Sequence, residues 1–184
     1  MRIELASGAA SDLVLSSFEK GGAVLNIAAN LNGKEPIEVY VRRIDEMAVR
    51  LHSKDLAVQA EIREKDKILG FNEASDTLSL LKAALIVTGI LLRDDKRTLD
   101  DILRDFGDGL EIITRSNLPK GSGMGTSGIL GAAVLTGLFK ISGQEKTKDE
   151  LVNAVLYLEQ LLGIGGGWQD PIGGIYPGIK FISS

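Results

Sequence analysis

The chain has 184 residues, of which 44% are hydrophobic and 25% charged, the balance of an ordinary globular protein with a core of useful size. A formal net charge of −4 argues against sequence-independent nucleic-acid binding, which needs a basic surface to displace counterions. There is no cysteine, so disulfide frameworks and thiolate metal sites are excluded.

The first seventy residues read as β-structure. Val24 to Ala28 is a short apolar run, and Ile37 to Val41 alternates with the period of two of a half-buried strand. Between them Asn32-Gly33 fits a tight turn, because both residues tolerate positive φ. Met47 to Leu51 and Leu56 to Ile62 alternate in the same way. From Ser75 the pattern changes: Leu78, Leu81, Leu85 and Ile86 recur at helical spacing, with Ser75 or Asp76 as N-cap. A second helix is predicted over Leu99 to Asp105, capped by Thr98 and stopped by Gly107. Leu110 to Thr114 reads as a buried strand, and Ile129 to Phe139 as a helix that is apolar almost all round. Thr147 and Glu150 have capping-box spacing, opening a helix that runs to about Leu162 and ends at Gly163 to Gly167. Ile175 to Ile182 looks like a closing strand. Strands first and helices later, without regular alternation, favour an α+β fold in one domain over residues 1–184. The most apolar stretch, Ala83 to Leu92, is half the length of a membrane span, and Met1 to Gly8 lacks the apolar run of a signal peptide. A cytoplasmic protein without membrane partners is expected. Both ends lie close to strands, which suggests a segment of a longer protein.

The segment Pro119-Lys120-Gly121-Ser122-Gly123-Met124-Gly125-Thr126-Ser127 stands between a predicted strand and a predicted helix. Its glycines let the backbone approach a phosphate and turn several N–H groups to one point. The following helix adds its unpaired N–H groups and the positive end of its dipole. Thr126 and Ser127 offer hydroxyls to phosphate or to Mg²⁺. The ending of a Walker loop is missing, and so is a Rossmann pattern. Composition alone also fits a plain turn joining strand to helix.

The order of residues says more. Pro-x-x-x-Gly-Met-Gly-Thr-Ser resembles the second signature of the GHMP kinases, the family of galactokinase, homoserine kinase and mevalonate kinase. Gly165-Gly-Gly-Trp-Gln-Asp170, Ile172-Gly-Gly, Tyr176-Pro-Gly-Ile-Lys180, Asp105-Phe-Gly-Asp-Gly109 and Gly21-Gly-Ala-Val-Leu-Asn26 are similar to the fucokinase branch of that family. The resemblance covers essentially the whole chain.

It implies a GHMP kinase N-terminal domain, a mixed sheet packed with helices, whose phosphate loop opens a helix. It implies ATP held by Lys120, Gly121, Ser122, Gly123, Met124, Gly125, Thr126 and Ser127, and Mg²⁺ held by Ser127 and Glu159. Asp170 would be the general base, which must take a proton from the attacking hydroxyl. Arg2 would stabilise charge on the transferred phosphoryl group. Asp12, Gly166, Gly167, Trp168 and Gln169 would meet the sugar, although Trp168 fits a place in the core equally well. The first signature, Arg2 to Asp12, departs from the fucokinase string. Glu4 replaces aspartate, alanine replaces tryptophan, one extra residue precedes Asp12, and no Thr-Pro-Pro follows. His52, the single histidine, reads as structural. The implied reaction is phosphorylation of the anomeric hydroxyl of L-fucose, with the C-terminal kinase domain as the missing partner and no activity expected from this segment alone. The alternatives are a GHMP kinase for another sugar, such as a heptose phosphate, and a non-catalytic nucleotide-binding module.

Overall fold

The computed structural model describes residues 1–7, 23–73, 75–118, 125–164 and 166–183. Among them the chain forms seven strands: β1 (Arg2–Ser7), β2 (Ala23–Ala28), β3 (Ile37–Ile44), β4 (Val49–Ser53), β5 (Val58–Ile62), β6 (Gly109–Ser116) and β7 (Ile179–Ser183). Six helices accompany them: α1 (Lys65–Leu69), α2 (Ser79–Val87), α3 (Leu99–Phe106), α4 (Thr126–Ile141), α5 (Lys148–Leu161) and α6 (Gln169–Ile175). The fold is α+β, as the order of patterns predicts. The strands divide into two sheets, ordered β3-β6-β4-β5 and β1-β2-β7. The first is mixed, because β4 runs parallel to β6 while the other pairs are antiparallel.

Alternation decides which face of the four-stranded sheet is buried. Val49, Leu51, Leu110 and Ile112 point inward and meet Leu85 of α2, Leu135 and Leu138 of α4, and Leu158 of α5. On the opposite face Arg42, Glu111, Arg50 and Glu61 stand in one rung across four strands, their signs alternating. Arg50 donates to Glu61 at 2.9 Å and Arg42 pairs with Glu111. Opposite charges facing each other across strands hold the register where no core does. His52 lies on this outer face, opposite Gln59 and Ile113.

Local signals explain most element ends. Asn32 (φ 50°) and Gly33 (φ 76°) make the expected turn, closed by a Leu31–Lys34 bridge. Thr98 and Thr147 both form complete capping boxes, with Asp101 and Glu150, each contributing about 1 kcal/mol. Gly107 ends α3 in the left-handed conformation, φ 100°. Two expectations are corrected. The helix predicted from Ser75 begins at Ser79, because Asp76 folds back to accept the Leu78 N–H at 2.9 Å and pairs with Lys82 at 2.6 Å. The closing strand, predicted from Ile175, begins at Ile179, and Ile175 instead ends a helix over Gln169–Ile175. Pro171 is third in α6, where its missing N–H costs no helical bond. Gly174 is required by packing: a Cβ there would lie 2.4 Å from Cγ1 of Ile129 in α4.

Candidate functional site

The site is built around the first turn of α4. Gly125 precedes that helix at φ 71°, a conformation that glycine adopts without strain. As a glycine it offers no side-chain cap to the leading N–H groups of α4, which carry the positive end of the helix dipole. A β-carbon at Gly125 would lie 3.0 Å from Oδ1 of Asp170, the second residue of α6. One at Gly128 would lie 3.4 Å from both the Asp170 Cβ and the Glu159 Oε1. One at Gly166 would lie 2.6 Å from the Glu159 Oε2. Glycines therefore admit two carboxylates against one helix start. Thr126 and Ser127 occupy that first turn, both half-buried.

The two acids have distinct environments. Glu159 comes from the last turns of α5 and is 5% exposed. Its Oε2 is buried with no hydrogen-bond partner among the described residues. Burial, and secondarily the charge of Asp170, push its carboxyl up to about 7. A buried carboxylate oxygen without a donor is suited to a cation, and Mg²⁺ is a hard ion that prefers oxygen ligands. Glu159 with the Ser127 hydroxyl thus fits the chemistry of such an ion, although no cluster of three or more acids or histidines occurs among the described residues.

The remaining expected residues fall into three groups. Gly166 and Gly167 precede α6 beside Glu159, and Gln169 is 2% exposed beneath β2. Trp168 lines a separate cleft of 620 Å³ with Val152, Leu156, Ile172, Lys180 and Phe181, a lining that does not include Asp170 or Glu159. Arg2 stands opposite Ala28 at the start of β1, and its side chain is not among the described ones. Asp12, Lys120, Gly121, Ser122, Gly123 and Met124 also lie outside the described residues. The structure adds Asn26, fully buried in β2, whose Nδ2 donates to the Gln169 carbonyl at 3.5 Å. A polar residue at an inward position of a short apolar strand was the signal for it, next to Val24 on the same face.

Residues 95–178 match the GHMP kinases N terminal domain. The chain is 42% identical over 179 residues to a bifunctional fucokinase/GDP-fucose pyrophosphorylase of Arabidopsis thaliana, covering 96% of this chain and 16% of that protein. It is 35% identical over 187 residues to an L-fucokinase/L-fucose-1-P guanylyltransferase of Bacteroides fragilis, covering all of this chain and 20% of the relative. The chain therefore spans a fifth or less of the length of these relatives. Among solved structures, a D-glycero-D-manno-heptose 1-phosphate kinase from Bacteroides thetaiotaomicron superposes with a TM-score of 0.74 at 20% identity, over 100% of this chain and 54% of that one. Residues 95–178 thus match the GHMP kinase N-terminal domain in sequence, and the whole chain shares its fold with about half of that solved heptose 1-phosphate kinase.

Proposed function

We propose that this chain is the ATP-handling part of a sugar kinase that phosphorylates the anomeric hydroxyl of L-fucose. The observation that carries the reading is the convergence of Asp170 and Glu159 on Gly125 and Gly128 at the start of α4. The substrate follows from the two relatives, each named as a fucokinase and each at least 35% identical across this chain.

The reaction breaks the bond between the γ-phosphorus of ATP and the ADP oxygen and forms one to the sugar oxygen. The hydroxyl proton leaves to the Asp170 carboxylate, which serves as general base. The N–H groups opening α4, with Lys120 to Met124 before them, would bind phosphate oxygens. Mg²⁺, when bound by Glu159 and Ser127, would supply charge neutralisation between phosphates. Burial of Glu159 behind Gly128 and Gly166 keeps water off that carboxylate and makes it a stronger ligand for a cation. Sugar contacts are assigned to Asp12, Gly166, Gly167, Trp168 and Gln169, and stabilisation of the phosphoryl charge to Arg2.

The test is ADP release by the complete protein that contains this chain, with L-fucose, a heptose phosphate, mevalonate or no acceptor. The reading expects release dependent on fucose and Mg²⁺. Release only with another acceptor would move the substrate assignment. Nucleotide binding without release in any arm would select a non-catalytic module.

A further inference from the structure

The helix that carries Asp170 is short and begins with glycines on its approach, so something outside it must hold it. Seven residues give a rod of about 10 Å, too short to be stable through its own hydrogen bonds. Its partners are two adjacent positions of the three-stranded sheet. Asn26 of β2 and Lys180 of β7 are direct register partners, and both project to the face that supports α6. Asn26 Nδ2 donates to the Gln169 carbonyl in the first turn of α6, immediately before Asp170. At the other end the Lys180 ammonium donates to the carbonyls of Gly173 (3.1 Å), Tyr176 (2.6 Å) and Gly178 (2.9 Å).

These contacts have a purpose visible in the chemistry of helix ends. The last carbonyls of a helix have no partner within it and carry the negative end of its dipole, so a cation with three protons satisfies several of them at once. Lys180 pairs with no carboxylate among the described residues, and the main-chain oxygens take all its protons. Partial burial holds its ammonium below the usual lysine value. Toward α4 the helix is tightly seated as well, since Gly174 leaves no room for even a methyl group beside Ile129. Sheet below and helix α4 above therefore fix the height and rotation of α6, and with them the reach of the Asp170 carboxylate toward Gly125.

We propose that Asn26 and Lys180 are positioning residues for Asp170, clamping α6 to the β2–β7 sheet at both ends. The proposal rests on the reading of Asp170 as the base, and its test separates the two. In the complete kinase, turnover and KM for ATP are measured for Lys180→Met, Lys180→Arg, Asn26→Leu, Asp170→Asn and the double variant Lys180→Met with Asp170→Asn. A base displaced by about 1 Å loses on the order of a hundredfold in rate. Lys180→Met accordingly lowers kcat between about tenfold and a hundredfold, with KM for ATP changed by less than about twofold. Lys180→Arg, which keeps charge and donors, recovers most of the loss. On the Asp170→Asn background Lys180→Met costs less than about threefold more, because the residue it positions is already disabled. An equal loss on both backgrounds, a normal kcat in Lys180→Met, or no recovery with arginine overturns the clamp while leaving Asp170 as base. Near-normal turnover in Asp170→Asn overturns the reading of the base, and the clamp with it. If Lys180→Met does not accumulate as folded protein, Asn26→Leu, close in size and without a donor, takes its place in the cycle, and the same outcomes support or overturn the clamp.

Discussion

Gly174→Ala measures how tightly the helix bearing Asp170 is seated. Alanine in place of glycine inside a helix ordinarily stabilises by about 1 kcal/mol. At this position the added methyl would lie 2.4 Å from Cγ1 of Ile129, 3.2 Å from Cδ1 and 3.4 Å from Cβ. Carbon atoms pack at about 3.5–4.0 Å, so the first contact is short by more than about 1 Å. Ile129 is β-branched and helical, with one strongly preferred χ1, and cannot swing aside. The helices must part instead, and overpacking of this kind costs about 1–3 kcal/mol. Gly128→Ala is the matched control for stability alone, because its methyl would meet nothing closer than 3.4 Å and gains the same propensity, while its neighbours Asp170 and Glu159 bar it as a control for turnover. The difference between the two variants is then about 1–3 kcal/mol, or a gap in Tm of at least about 2 °C for a chain of this size. Thermal unfolding followed by circular dichroism gives that gap, and ADP release gives the accompanying loss of turnover, about tenfold or more in Gly174→Ala. Equal Tm in the two variants, with wild-type turnover in Gly174→Ala, would refute the packing argument.

Three further outcomes follow from particular residues. Glu159 is protonated up to about pH 7 in the folded chain but only to its ordinary value of 4.5 when unfolded, so the folded state binds more protons between them. In the absence of divalent metal, stability falls as pH rises through that window and levels off above it; Glu159→Gln flattens the slope, as urea titrations at a series of pH values can show. Glu159→Gln with Ser127→Ala raises the Mg²⁺ concentration needed for half-maximal ADP release by about tenfold or more, and an unchanged titration would place the ion elsewhere. Thr147→Ala removes the cap that accepts the Glu150 N–H at 3.2 Å and lowers stability by about 1 kcal/mol without changing KM for ATP, measured by denaturant unfolding and steady-state kinetics.

Much of the fold was legible because it depends on local chemistry. Thr98 and Thr147 announce their helices by the acid three residues on, and Asn32-Gly33 announces its turn by tolerance of positive φ. A short apolar run located β2, apolar alternation located β3 to β5, and the nearly uniform apolar run after Ser127 marked α4 as buried. Helix α6 was hidden because Pro171, Gly173 and Gly174 read as turn formers, while in the fold the proline sits in the first turn and Gly174 admits Ile129. Division of the strands into two sheets depends on pairings between β2 and β7, more than 150 residues apart, which no local pattern encodes. At the site, motif order pointed to Glu159 and Asp170 separately; their shared approach to Gly128 is a tertiary fact. Asn26 was passed over because its role is a single bond to a main-chain carbonyl on a distant helix.

The central claim is that Asp170 takes the proton from the sugar hydroxyl at the start of α4. Its most direct test compares wild type with Asp170→Asn in the complete kinase, with ATP affinity measured by equilibrium binding and fucose-dependent ADP release measured at saturating ATP. Asparagine keeps the size and hydrogen-bonding shape of the side chain but cannot accept the proton as a base. The account predicts ATP affinity within about twofold of wild type and turnover lowered by roughly a hundredfold or more. Turnover within a few-fold of wild type, with ATP affinity intact, would contradict it.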